Sequence, residues 1–120
     1  KAFRCRENET AEIVDFLAAC TTLDITLQAI LLDAFQSGCY GGSGQRLDWE
    51  ALKNITPSFG GYEWVLAGGV DADNVASAIT AACPTAVDVA SGVESSAGKK
   101  DAELVQRFVT NAIAAFDSLT

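Results

Sequence analysis

Histidine is absent from all 120 residues, and so is methionine, position 1 included. Without an imidazole the commonest general acid or base is missing, so any proton transfer falls to a carboxylate or a thiol. The four cysteines, Cys5, Cys20, Cys39 and Cys83, lie far apart and include no Cys-x-x-Cys pair. With no histidine to join them this argues against a zinc site, and a chain of this size needs no disulfide framework, so they read as reduced thiols. Long apolar runs are also missing. Stretches such as Ala29 to Leu32 are far too short to cross a bilayer, and no charged segment leads into an apolar one as in a secretory signal. Basic residues are scarce, 8 against 16 acidic ones, for a net charge of −8. Neither nucleic acid nor an anionic membrane is attracted to such a surface, and neither is expected as a partner. A small phosphorylated molecule is not excluded, because it feels nearby backbone N–H groups more than a distant net charge.

What remains is a globular composition, 49% hydrophobic and 20% charged, sufficient for one domain over residues 1–120 with a real core. The expected compartment is the cytoplasm. A chain that begins Lys1-Ala-Phe3, inside what reads as a strand, is expected to be a piece of something longer.

Two short apolar runs stopped by small residues organise the rest: Val65-Leu-Ala-Gly-Gly-Val70 and Val87-Asp-Val-Ala-Ser-Gly-Val93. Each precedes a helical pattern, as a buried parallel strand does when it hands its chain to a helix. Gly68 and Gly69 have no Cβ to obstruct a ligand, and a helix predicted from Asp73 points unpaired N–H groups at the gap, so the turn reads either as a phosphate cradle or as a tight turn with nothing bound. Ser91 and Gly92 repeat the arrangement on the next strand, which points to a shared anion site. Along the chain, Lys1 to Cys5 is compatible with a strand, broken by Glu7-Asn8-Glu9. A helix follows from Thr10 to Cys20, then a strand from Leu27 to Leu32 that ends at Asp33, a charged residue where a buried strand emerges. A glycine-rich loop spans Phe35 to Arg46. Asp48 is a natural N-cap for Trp49 to Asn54, a short helix that stops before Pro57. A strand from Tyr62 to Ala67, a helix from Asp73 to about Ala82, and a strand from Thr85 to Val89 come next. Asp101 caps a last helix whose Leu104, Val105, Phe108, Val109, Ala112, Ile113 and Phe116 trace one face. Strand and helix alternate four times with no hairpin signal, so the fold class is α/β with parallel strands. Four such units form half of a (β/α)8 barrel or, alternatively, a small open doubly wound sheet. The half-barrel is preferred because Asp33, the glycine loop, Gly68, Gly69, Asp88 and Ser91 all fall at strand carboxyl ends.

Five motifs in order, Leu31-Leu-Asp33, Gly41-Gly-Ser-Gly44 with Leu47-Asp-Trp49, Leu66-Ala-Gly-Gly69 with Asn74-Val75, Val87-Asp-Val89 with Ser91-Gly-Val-Glu94, and Gly98-Lys-Lys-Asp101, resemble the carboxyl-terminal half of phosphoribosylanthranilate isomerase of tryptophan biosynthesis. The resemblance covers nearly the whole chain. It implies strands five to eight of a TIM barrel, phosphoribosylanthranilate as substrate, an Amadori rearrangement to the 1-amino-1-deoxyribulose, and neither metal nor cofactor. It makes Asp33 the general acid that opens the sugar ring. A carboxyl at the rim of an apolar strand is partly desolvated, which favours its neutral, proton-donating form; a capping or salt-bridging aspartate is the alternative. The family's base is a cysteine in a Lys-x-Cys-Gly motif on the first barrel strand, which this sequence lacks. Cys5, followed by Arg6, and Cys39 do not match it. Gly69, Ala90, Ser91 and Gly92 match the phosphate loops, with Ala90 at a position where serine is common. Asp88 either positions a ribose hydroxyl or pairs with a residue such as Lys1. Asp48 and Trp49 are assigned to structure, and Glu94 with Lys99 and Lys100 to a solvated loop. The expected partner is the other half of the barrel or a second copy of this chain. In the latter case the function is non-catalytic phosphosugar binding.

Overall fold

Alternating apolar strand residues need one covered face, and the chain supplies four amphipathic helices to cover it. The computed structural model describes residues 1–4, 10–33 and 49–120. Strands β1 (Ala2–Arg4), β2 (Ile30–Asp33), β3 (Trp64–Ala67) and β4 (Ala86–Val87) form one parallel sheet in the order β1-β2-β3-β4. Helices α1 (Thr10–Thr22), α2 (Trp49–Ile55), α3 (Val75–Ala82) and α4 (Ala102–Leu119) alternate with them. Strand order follows chain order throughout, with none of the reversal that marks the switch point of a doubly wound sheet. Among the described residues no helix is long and apolar enough to cross a membrane.

Ile30, Leu32, Trp64 and Leu66, alternate residues of β2 and β3, are buried in a single cluster with Ile13 and Leu17 of α1, Leu52 of α2, Val75 and Ile79 of α3, and Phe108 and Ala112 of α4. All four helices therefore pack on one face of the sheet. On the other face Leu31, Asp33 and Val65 are only half-buried, while Ala67 is buried. Phe3 meets Phe16 of α1 edge to face at 5.4 Å between centroids, which ties the outer strand β1 to the helical layer.

Several elements differ from the sequence-based expectation. The strands predicted over Leu27–Leu32, Tyr62–Ala67 and Thr85–Val89 are trimmed at their starts, and β4 keeps two residues, because pairing requires a neighbour in register and not merely an apolar run. Helix α3 begins at Val75 and not at Asp73. The Asp71 carboxylate accepts the N–H groups of Asp73 and Asn74, and this Asx turn occupies the residues that periodicity had assigned to the helix. Asp101 caps α4 as predicted, its carboxylate accepting from the N–H groups of Glu103 and Leu104 at 3.0 Å each. The apolar face of α4 is divided, however. Phe108 and Ala112 are buried, while Val105, Val109 and Ile113 remain 38%, 48% and 57% exposed, one row further round the helix than the sheet reaches. A hairpin was not foreseen: β5 (Glu94–Ser96) and β6 (Lys99–Lys100) pair antiparallel about Gly98, whose φ is +76°. The strand break at Glu7-Asn8-Glu9, the loop from Phe35 to Arg46 with Gly41, Gly42 and Gly44, the Asp48 cap, and Cys5 and Cys39 lie outside the described residues.

Candidate functional site

The turn after β3 is built on two left-handed residues, Gly68 at φ +80° and Gly69 at φ +70°, a conformation glycine adopts at no steric cost. Where a Cβ of Gly69 would lie, nothing stands within 4 Å. The space in front of the turn is open. Behind it, Asn74 is buried at 6% exposure. Its Nδ2 donates to the Gly69 carbonyl at 2.9 Å and its Oδ1 accepts from the Asp71 N–H at 2.8 Å. Helix α4 braces the same loop from outside: Asn111 donates to the Ala72 carbonyl at 2.7 Å, and Arg107 pairs with Asp73. Asn74 and Asn111 were missed as site residues, because each acts through a contact distant in sequence or internal to a turn. The neighbouring Asn74-Val75 pair was visible only as part of a motif.

The second turn packs directly on the first. After Val87, the Asp88 N–H donates to the Leu66 carbonyl at 2.9 Å. The chain then leaves the sheet at Ala90 and makes a 3-10 turn over Ser91–Val93, with Val93 buried. A Cβ on Gly92 would lie 2.1 Å from the Val70 carbonyl oxygen and 3.0 Å from the Asp71 Cα. Only glycine allows this approach, and it makes one body of the two loops. Ala90, Ser91 and Gly69 are all exposed, and among the described residues no hydrogen bond uses the N–H of Gly69 or Ser91. A packed pair of turns with exposed, unpartnered N–H groups is suited to a small anion.

Glu94, Lys99 and Lys100, expected to form a solvated loop, instead make the hairpin that closes the second turn. Lys100 Nζ donates to the Ala90 carbonyl and to Glu94 Oε1, each at 2.7 Å, and the Gly98 N–H donates to Glu94 Oε2 at 3.0 Å. The Lys100 hydrogen bond foremost, then the Gly98 N–H, holds the Glu94 carboxyl below its ordinary value of 4.5. A carboxyl lowered in the native state stabilises the fold fully above its unfolded value, and that contribution is lost as pH falls through the folded one. Glu94→Gln is therefore expected to destabilise the protein at about pH 7 and to differ progressively less from the parent below about pH 4.5. Urea unfolding of both proteins across that range checks it; a constant gap at all pH values is the contrary result.

The sheet places the two aspartates on one face. Register pairs Arg4 with Asp33 and Asp33 with Ala67, while Leu66 pairs with Val87. Asp88, one residue beyond Val87, continues that row, so Asp33 and Asp88 rise from the same side of the sheet at its carboxyl end. Asp33 is half-buried and Asp88 exposed. The alternative pairing of Asp88 with Lys1 is not formed. Lys1 belongs to the opposite edge, with its Nζ 5.7 and 5.6 Å from the ring centroids of Phe3 and Phe16. Among the described residues no group of three Cys, Asp or Glu is placed to hold a metal ion.

Comparison with known proteins gives a consistent result. The family described as N-(5'phosphoribosyl)anthranilate (PRA) isomerase matches residues 6–111. The N-(5'-phosphoribosyl)anthranilate isomerase of Geobacter sp. (strain M21) is 47% identical over 112 residues, covering 93% of this chain and 50% of that protein. The Acaryochloris marina protein of the same name is 42% identical over 107 residues, 89% of this chain and 45% of its own length. Among solved structures, phosphoribosyl anthranilate isomerase from Thermotoga maritima superposes with a TM-score of 0.73 at 35% identity, over 95% of this chain and 50% of that one. A phosphoribosyl anthranilate isomerase in complex with reduced 1-(o-carboxyphenylamino)-1-deoxyribulose 5-phosphate does so with a TM-score of 0.64 at 32% identity, over 95% and 47%. The chain spans about half the length of the curated relatives it matches.

Proposed function

Because this chain belongs to the N-(5'-phosphoribosyl)anthranilate isomerase family, we propose that residues 1–120 form one (βα)4 unit, strands five to eight of a (β/α)8 barrel. It contributes the general acid and the phosphate site of the isomerase in a cytoplasmic enzyme of tryptophan biosynthesis. The observation that supports the reading is the close approach of Gly92 to Val70, which packs the Gly68-Gly69 turn against the Ala90-Ser91-Gly92 turn. The Asp33 and Asp88 row stands on the same end of the sheet. In this reading the N–H groups of Gly69, Ser91 and Gly92 take the 5-phosphate and Asp88 takes a ribose hydroxyl. Asp33 gives its proton to the furanose ring oxygen as the C1–O bond breaks, with the anilino nitrogen lone pair forming the C1=N bond. A base then removes the C2 proton. The electron pair moves to C1=C2 as the C=N bond collapses onto nitrogen, and the resulting enolamine tautomerises to the ketone. No oxidant or cofactor enters that balance.

The base expected from the family's Lys-x-Cys-Gly motif has no counterpart in this sequence. The purified chain alone is therefore expected to show no isomerase turnover, and addition of a polypeptide carrying the first four barrel strands is expected to restore it. Turnover by the chain alone near that of a whole enzyme contradicts the assignment. The second reading, a self-associating phosphosugar-binding half-barrel, is favoured by two observations: the half-covered inner sheet face and the exposed Val105, Val109 and Ile113 row both call for a cover. Sedimentation at micromolar concentration separates the two, because a compact monomer excludes the second.

A further inference from the structure

We propose that Lys100 is a positioning residue for the substrate phosphate, acting through the Ala90–Ser91 peptide. The inference rests on the reading of the paired turns as a phosphate cradle. In a trans peptide the carbonyl oxygen and the following N–H point in opposite directions, and among the described residues no peptide is cis. Lys100 Nζ holds the Ala90 carbonyl at 2.7 Å. The Ser91 N–H of that same peptide is thereby turned away from the hairpin, and among the described residues it has no protein partner.

The 3-10 turn is tied to the hairpin strands at both ends, since the Asp101 N–H donates to the Val93 carbonyl at 2.9 Å while Lys100 takes Ala90. Lys100 is itself held. Its ammonium is paired with Glu94, whose side chain is 16% exposed and whose second oxygen is occupied by the Gly98 N–H. A lysine so partnered serves the anion less as a free charge than as a clamp on the peptide plane that presents the donor. Neighbouring Lys99 has no such side-chain bonds among the described residues and carries the same charge one position away, which makes it the internal control.

The test is calorimetric titration of inorganic phosphate into the protein at fixed ionic strength, with thermal melting run alongside. Lys100→Met is expected to weaken phosphate binding by about ten-fold, the equivalent of one charge-assisted hydrogen bond lost from the arrangement. Lys100→Arg, which keeps donors for both Ala90 and Glu94, is expected to remain within about three-fold of the parent. Lys99→Met, which removes the same charge, is expected to leave binding unchanged. If Lys100→Met does not fold, Lys100→Gln takes its place, with a loss of at least about three-fold expected because one donor remains and the ion pair does not. A parent protein that binds no phosphate overturns the cradle reading and this inference with it. A parent that binds, with Lys100→Met or Lys100→Gln binding equally well or Lys99→Met losing as much, overturns the role of Lys100 alone.

Discussion

Asp33→Asn, made in a complete barrel, is expected to lower kcat by about 10² to 10⁴-fold, the usual contribution of a positioned general acid or base, while KM changes little. The amide keeps the shape of the side chain but has no proton acidic enough to give to the ring oxygen as the C1–O bond breaks. Asp33 ends β2 immediately after the fully buried Leu32, and its register partners Arg4 and Ala67 flank it on either side. The backbone that carries it is thus held from both neighbouring strands. Affinity is expected to survive because the phosphate is assigned to the loops after β3 and β4, with β3 standing between Asp33 and the second of them. Steady-state kinetics decide the matter, since an unchanged kcat makes Asp33 a structural residue, and a rise in KM with kcat intact makes it a binding one.

Gly92→Ala is expected to be more damaging than a methyl added at Gly60, Gly61, Gly69 or Gly98. Its Cβ would stand 2.1 Å from the Val70 carbonyl oxygen, a backbone atom that no rotamer change can move. Either the two turns separate or the loop from Val70 to Asn74 shifts, and the latter is resisted by the Asn74 bonds to Gly69 and Asp71 and the Asn111 bond to Ala72. Overpacking of this kind costs about 3 kcal/mol at the upper end of its usual range. For a domain of this size that corresponds to a fall in Tm of about 10 °C, with phosphate binding lost as well. Gly69→Ala is the instructive contrast. Its methyl would meet open space, so only the left-handed backbone opposes it, at a cost of about 1 to 2 kcal/mol. A Gly92→Ala protein that melts with the parent contradicts the close approach.

Much of this architecture is legible in the residues, and the unread parts share a cause. Local signals carried well: the Asp101 cap, the small residues after Ala67, and the alternation of apolar runs with helical periods each depend on neighbours within a turn or two. Gly92 reads from the sequence as part of a second small-residue turn, yet its structural justification is the close approach to Val70, which sequence spacing does not reveal. The Glu94–Lys100 hairpin was missed because two or three polar residues per strand give no alternation to detect, and its stability comes from Lys100 reaching back to Ala90. Asn74 looked like part of a helix start; its buried amide instead fastens a glycine turn on the other side of the loop. On α4 the apolar count was right, but periodicity cannot tell how wide an arc the sheet will cover, and Val105, Val109 and Ile113 fell outside it.

The chain-ordered sheet also governs how the molecule can assemble. Every ladder joins strands that are consecutive in the chain, so each closes a loop no longer than one strand–helix unit. The entropy of loop closure grows slowly with length, and contacts of low sequence separation form quickly. During synthesis β1 and β2 can pair across α1 before β3 has left the ribosome, and each later strand docks on an edge already prepared for it. Among the described residues, no ladder of this sheet has to wait for a strand distant in sequence. The paired turns after β3 and β4, braced by α4, then take shape after β1 and β2 have paired.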